Sequence, residues 1–276
     1  MPSIADCLQN TEFLGSSSAR LDVELLLTAA LEKPRSYLHT WPQQLLDQST
    51  FKKFESFVQR RKTGEPIAYI LGKQGFWNLN LTVNSSTLIP RPETELLVET
   101  ALQLLPQSPM QVLDLGTGSG AIALALASER RAWHLTATDR VPEAVSLAQC
   151  NAQQLAITNV EFVCAYWFDT LLNQSFDLIV SNPPYIAQQD QHLQRGDVRF
   201  EPASALVSGI DGLLDLKQII EQAPNYLKTQ GWLLLEHGSD QAECVQTLLQ
   251  ERGFVQVSSL CDLAGYQRIS MGQWHG

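Results

Sequence analysis

The sequence predicts an α/β fold: a doubly wound, mostly parallel sheet of seven strands, preceded by a small helical domain and a connecting β-hairpin. Three observations carry this prediction. From Gln111 onward, short apolar runs rich in Val, Ile and Leu alternate with helix-length stretches, the pattern of parallel strands joined by crossover helices. A glycine-rich turn follows the first of these runs, and an acid ends the second. Before Gly64 the apolar spacing is helical instead.

Residues from Ser3 to about Gly64 read as helical. Ser18 is placed to cap a helix from Ala19 to Leu31, made strongly apolar by Val23, Leu25, Leu26 and Leu27, with Pro34 after its end. Ser49 is placed to cap a second helix carrying Phe51, Phe54, Phe57 and Val58. That helix runs into Gln59-Arg60-Arg61-Lys62, which reads as a solvated C-terminal end suited to the helix dipole. Trp77, Leu79, Leu81 and Val83 then alternate with Asn78, Asn80 and Thr82, the period of a half-buried strand or hairpin. In Leu88-Ile89-Pro90-Arg91-Pro92-Glu93-Thr94-Glu95 the prolines make an extended entry, and Pro92 suits a first helical position. The expected organisation is a helical substrate-recognition domain over 1–72, a hairpin linker over 73–90 and the α/β domain over 91–276.

Within the last of these, Val112 to Leu115 is a short buried strand, and Gly116-Thr117-Gly118-Ser119-Gly120 is the turn after it. An alanine-rich helix over 121–128 follows. Further strands are expected at 133–139, 160–164, 176–181, 231–236, 254–260 and 268–271. Helices at 141–156, 213–227 and 241–252 fall between them.

Composition narrows the function. The chain has 276 residues, 44% hydrophobic and 17% charged, with a formal net charge of −10. An acidic chain is poorly suited to wrapping nucleic acid, where clustered positive charge supplies much of the affinity. Cys7, Cys150, Cys164, Cys244 and Cys261 lack metal-ligand or redox spacing and read as reduced, mostly buried thiols of a cytoplasmic protein. No signal peptide and no membrane-spanning run are visible.

The chemistry concentrates at strand ends. Glycines at 116, 118 and 120 let backbone approach a ligand closely, with helix N–H groups facing it. Asp139 lies 139 − 116 = 23 residues after the first glycine, at a second strand tip, where a carboxylate binds ribose hydroxyls. The spacing is G-x-G-x-G, not the dinucleotide G-x-G-x-x-G, and Asp114 would repel a pyrophosphate. A nucleoside without phosphate and with a cationic part suits this neighbourhood, and S-adenosyl-L-methionine has that chemistry. At a further strand end, Asn182-Pro183-Pro184-Tyr185 is held stiff because each proline lacks an N–H and pushes its predecessor out of the helical region.

Val112-Leu113-Asp114-Leu115-Gly116-Thr117-Gly118-Ser119-Gly120 resembles the first motif of class I S-adenosylmethionine-dependent methyltransferases, a Rossmann-like fold. Asn182-Pro183-Pro184-Tyr185 resembles the signature of those that methylate a planar nitrogen. Gly64 to Tyr69, Leu88 to Glu95 and Asp197 to Pro202 narrow the resemblance to the peptide-chain release factor glutamine methyltransferases. It implies methyl transfer to the side-chain amide of the glutamine in the release factors' Gly-Gly-Gln motif. It further implies that Gly116, Thr117, Gly118, Ser119 and Gly120 wrap the cofactor's methionine part, that Asp139 holds the ribose and that Trp167 lies against the adenine. Family members commonly have Asp before that Trp, where this chain has Tyr166.

A primary amide nitrogen is a poor nucleophile because its lone pair is delocalised into the carbonyl. Asn182 and the Pro183 carbonyl are the expected acceptors for its two N–H groups, with Pro184 and Tyr185 completing the slot and Asn182 also beside the cofactor. His192, His237 and Glu236 are proton-acceptor candidates by position alone, and no metal-ligand cluster is present. Two rivals stand beside this reading. One is a nucleic-acid methyltransferase acting on an exocyclic amine, and the other is a non-catalytic binder of the translation machinery.

Overall fold

The computed structural model describes residues 1–9, 18–194 and 196–276. The part of the helical expectation that falls on residues 10–17 lies outside them. Packing divides the chain into two compact units, Met1–Lys73 with His192–Phe200, and Gln74–Gln191 with Glu201–Gly276. Against the expected boundaries, the hairpin groups with the second unit from Gln74 on, and the turns at His192–Phe200 group with the first.

The first unit holds α1 (Ile4–Gln9), α2 (Ala19–Leu31), α3 (Arg35–Thr40), α4 (Gln48–Lys62) and α5 (Ile67–Leu71). Ile4, Leu8, Val23, Leu26, Leu27, Leu38, Phe54 and Val58 form its core. Two expected caps are corrected. Ser18 makes no backbone cap; its hydroxyl donates to Asp22 instead, at 3.0 Å. The cap of α4 is Asp47, not Ser49, because its carboxylate accepts from both Ser49 N and Thr50 N at 2.9 Å. The solvated helix end is corrected too. Arg61 is only 9% exposed, and its guanidinium meets Asp22 at 2.8 Å and Asp197 at 2.9 Å. Arg60 pairs with Glu65.

The second unit opens with a hairpin of β1 (Lys73–Phe76) and β2 (Leu79–Thr82), turned at Trp77 with φ 55°. A 3₁₀ turn at Pro92–Thr94 leads into α6 (Glu95–Leu104). Then come β3 (Gln111–Leu115), α7 (Ala121–Glu129), β4 (His134–Asp139), α8 (Pro142–Gln154), β5 (Val160–Cys164) and β6 (Phe176–Ser181). The chain closes with α9 (Leu214–Gln222), β7 (Leu227–Glu236), α10 (Ala242–Arg252), β8 (Val255–Cys261) and β9 (Gln267–Gln273). The sheet order is β5-β4-β3-β6-β7-β9-β8, parallel except that β9 runs against both neighbours.

The strand period of two sorts this sheet's side chains onto two buried faces. Val112, Leu135, Leu178, Val180 and Leu234 pack with α6 and α7 on one face. Leu113, Leu115, Ile179, Leu233 and Leu235 pack with α9 and α10 on the other. Helix α7 is buried from Ala121 to Ala127 on every side, which its run of alanines permits by letting neighbours approach closely. After β5 the chain returns to place β6 beside β3, on the side away from β4. That reversal is the topological switch point, where ligands bind in open α/β sheets.

The thiols depart from expectation. Cys7 is buried, whereas Cys150, Cys164, Cys244 and Cys261 are exposed, two on helices and two at the ends of the edge strands β5 and β8. Among the described residues no helix is long and apolar enough to cross a membrane.

Candidate active site

After Leu115 the chain turns through Gly116, Gly118 and Gly120 at φ 73°, 56° and 84°, a region glycine enters without steric cost. The sequence reading turns this segment's N–H groups toward a ligand. The structure uses four of them internally. Gly116 and Thr117 both donate to the Thr138 carbonyl at 2.9 Å, Gly118 donates to Asp139 Oδ2 at 2.9 Å, and Gly120 donates to the Thr117 carbonyl at 2.9 Å. An anion site at a helix start needs such donors free. This turn offers close backbone approach instead. Asp114 sits behind it, wholly buried, accepting from Thr117 Oγ1 at 2.7 Å and from Ala123 N at 3.2 Å. Burial pushes its carboxyl up to about 7.

Asp139 ends β4. Each carboxylate oxygen accepts one backbone N–H at 2.9 Å, Oδ2 from Gly118 and Oδ1 from Val141. Each keeps a further lone pair for a ligand hydroxyl. Burial raises its pKa, and these two bonds oppose the rise. Trp167 is 7% exposed at φ 47°, with its indole N–H unpartnered. A Cβ at Gly116 would lie a tight 3.3 Å from its ring, which adds to the preference for glycine that φ 73° already sets there.

Asn182 follows the last residue of β6. Ser181 Oγ donates to the Leu115 carbonyl at 2.8 Å, holding the ends of β6 and β3 together. Asn182 Nδ2 donates to Thr94 Oγ1 at 3.2 Å. Beyond the prolines, Gln241 Nε2 donates to the Tyr185 carbonyl at 3.0 Å. A Cβ on Gly212 would lie 2.4 Å from that same oxygen, so the segment is braced against backbone. Burial raises the Tyr185 phenol pKa, and the phenol lies 3.5 Å from Glu236 Oε1.

These strand ends border one cleft of about 900 Å³, its open mouth included. Gly116, Thr117, Gly118, Ser119, Asp139, Trp167, Asn182 and Pro184 line it; Gly120, Pro183 and Tyr185 do not. Thr94, Arg91, Arg140, Tyr166 and Asp215 also line it, none assigned a role by sequence. Arg91 pairs with Glu201, whose side chain is wholly buried and also accepts from Ile89 N at 3.0 Å. In the sequence, this pair is marked only by the resemblance, which covers both Leu88 to Glu95 and Asp197 to Pro202. Asp215 stands at the start of α9 and Gln218, one turn on, accepts from the Tyr166 hydroxyl at 2.9 Å. His237 is wholly buried, and both ring nitrogens are engaged, by the Gly238 carbonyl and by Ser270 Oγ, each at 2.8 Å. His192 belongs to the first unit. Among the described residues no group of three or more His, Cys, Asp or Glu is arranged to hold a metal ion.

Residues 106–268 match the family model described as a methyltransferase domain, and residues 6–72 match that of the PrmC N-terminal domain. The release factor glutamine methyltransferase of Pseudomonas aeruginosa is 56% identical over 274 residues, 99% of each chain. That of Escherichia coli K12 is 46% identical over 265 residues, 96% of each chain. The crystal structure of a methyltransferase from Pyrococcus furiosus superposes with a TM-score of 0.56 at 15% identity, covering 80% of this chain and 98% of that one, a likeness of fold alone. With near-complete coverage and identity at this level across both units, the chain belongs to the release factor glutamine methyltransferase family.

Proposed function

We propose that this protein transfers a methyl group from S-adenosyl-L-methionine to the side-chain amide nitrogen of the glutamine in the Gly-Gly-Gln motif of class I peptide-chain release factors. One observation carries the reading. The glycine turn, Asp139 and Trp167 line the same cleft as Asn182 and Pro184. Cofactor and acceptor groups therefore meet at one switch point.

The residues present fit the cofactor. Asp139 has lone pairs to spare for ribose hydroxyls, and Trp167 offers a flat wall with an unpartnered indole N–H. The turn's engaged N–H groups suit a ligand without phosphate. Asp139 and Asp215 give the cleft carboxylates that favour a cationic ligand. When bound, the cofactor supplies an electrophilic methyl on a positive sulfur, which departs as a neutral thioether.

The chain's own residues do the rest by position. Asn182 Oδ1 accepts one N–H of the substrate amide and the Pro183 carbonyl accepts the other. Pro184 and Tyr185 wall the amide plane. Holding the nitrogen in line with the methyl supplies on the order of 7–11 kcal/mol of the barrier reduction available from orientation. Positive charge then develops on the nitrogen as its lone pair forms the new N–C bond, and both acceptors strengthen toward it. One amide proton passes afterward to solvent water at the open mouth of the cleft, restoring the neutral amide.

The helical unit Met1–Lys73 is assigned to substrate recognition, the partner is a protein, and the setting is cytoplasmic. Net charge −10 and the pairing of Arg60 and Arg61 with acids weigh against a nucleic-acid substrate. Labelled S-adenosyl-L-methionine offered with purified release factor, tRNA, rRNA and DNA tests the reading. Label on the protein supports it; label confined to nucleic acid selects the rival methyltransferase, and none anywhere selects the non-catalytic binder.

A further inference from the structure

Asp215 borders the cleft with no partner for its carboxylate. It lies in the first turn of α9 and is only 7% exposed. Its main-chain N–H donates to Ser208 Oγ at 2.8 Å. Among the described residues its carboxylate takes no hydrogen bond and no ion pair. Neither oxygen is sealed inside the protein, so the little surface it keeps opens to the cleft it lines. A carboxylate so placed has lost most of its water and gains nothing from the protein in return. A donor brought by a ligand makes up that loss.

Its neighbours say which part of the ligand it meets. Gln218, three residues on and so on the same face of α9, accepts from the Tyr166 hydroxyl at 2.9 Å. Leu216 packs in one apolar cluster with Trp167 and Phe168. The first turn of α9 therefore stands against the Tyr166–Trp167 turn. With ribose at Asp139 and the methionine part at the glycine turn, the base falls to the wall of Val141, Ala165, Tyr166 and Trp167, the end that Asp215 borders. An ionised carboxylate only accepts. The ring nitrogens on an adenine edge are acceptors too and would repel it. The exocyclic amine is the one N–H donor of that base.

Resting on the cofactor reading, we propose that Asp215 recognises the exocyclic amine of the cofactor's adenine, accepting one of its N–H bonds and so selecting the adenosyl group. A base with a carbonyl at that position would meet the carboxylate oxygen to oxygen. Asp139 and Asp215 then divide the nucleoside between them, one at the sugar and one at the base, with Trp167 as the flat wall.

Calorimetry with two ligands tests the contact: S-adenosyl-L-homocysteine, and its analogue with hydrogen in place of the adenine amine. Wild type binds the first about tenfold or more tighter than the second, as one hydrogen bond to a charged group implies. In Asp215→Ala the two affinities come within about twofold of each other, because that bond is lost from the first alone. Asp215→Asn, which can turn its amide oxygen to the amine, keeps part of the difference. Neither ligand carries the sulfonium charge or the transferable methyl, so the readout is separate from turnover and from attraction to the sulfur. A wild type that does not distinguish the two ligands, a difference that survives in Asp215→Ala, or an Ala variant that weakens both alike overturns the inference. If melting curves show Asp215→Ala unfolded, Asp215→Asn decides, and a difference there as large as wild type's overturns it. Wild-type enzyme that binds neither ligand sinks the cofactor reading itself, and the contact with it.

Discussion

The main-chain N–H of Gly118 donates to Oδ2 of Asp139 at 2.9 Å, so the glycine turn after β3 is held by the acid that ends β4. The second oxygen of Asp139 holds the start of the following helix through Val141 N at 2.9 Å. One side chain thus sets the shape of the turn and, on the proposed reading, offers its remaining lone pairs to the ligand. Asp139→Ala removes both. Hydrogen bonds to a charged group contribute about 1.5–3 kcal/mol each, so affinity for S-adenosyl-L-methionine falls by roughly tenfold to a hundredfold. Isothermal titration checks this, and Asp139→Asn, which keeps one acceptor, falls between wild type and Ala.

On the proposed reading, Asn182 serves the transfer step more than the binding step. Asn182→Ala lowers turnover on release factor by about tenfold or more, as expected for roughly 1.4 kcal/mol of lost transition-state stabilisation. Cofactor affinity stays mostly intact. Steady-state rates alongside calorimetry separate the two, and equal losses in both would place Asn182 at the cofactor alone.

Arg61 tests the first unit. Its guanidinium is held between Asp22 and Asp197. Asp22 is 4% exposed, so removing its partner leaves a buried uncompensated charge. Arg61→Ala costs about 3–5 kcal/mol on that ground. Replacing Arg61 and Asp22 together by Met and Leu costs far less, since no lone charge remains. Urea unfolding followed by a probe in this unit reads the difference, because a chain of two units need not unfold in one step.

Glu236 gives a pH signature of stability. Burial pushes its carboxyl from 4.5 up to about 7, with nearby Glu93 adding to the rise and Arg268, Thr94 and Tyr185 opposing it. An acid with a raised folded pKa holds its proton longer in the folded chain than in the unfolded one. Folding is then favoured below pH 4.5 and loses that advantage as pH climbs to about 7. Against wild type, Glu236→Gln gains stability steadily across that window and no more above it. Melting temperatures from pH 4 to 8 check it; a constant offset would contradict the assigned shift.

What sequence reveals here is what is local. Helix α2 begins and ends where its apolar spacing and flanking residues place it, and β6 stops where two prolines stop it. The glycine turn and Asp139 are visible because their spacing is a property of one strand-turn-helix unit. Caps are less so, since Asp47 and Ser49 both suit the start of α4 and only geometry shows the carboxylate taking two N–H groups. Long-range pairs are invisible. Arg61 meets Asp197 from 136 positions away, and Thr94 meets Asn182 from 88. Glu236 reads as a plain strand end; only the sheet register sets it at a strand end adjacent to Asn182. The same register carries Cys164 and Cys261 to edge strands, where they are exposed against expectation.

Tandem mass spectrometry of a release factor, before and after incubation with this enzyme and S-adenosyl-L-methionine, tests the central claim most directly. The account predicts one added methyl on the side-chain amide of the Gly-Gly-Gln glutamine, lost when that glutamine is replaced. A methyl on any other residue, or on co-incubated RNA or DNA with the glutamine untouched, would contradict it.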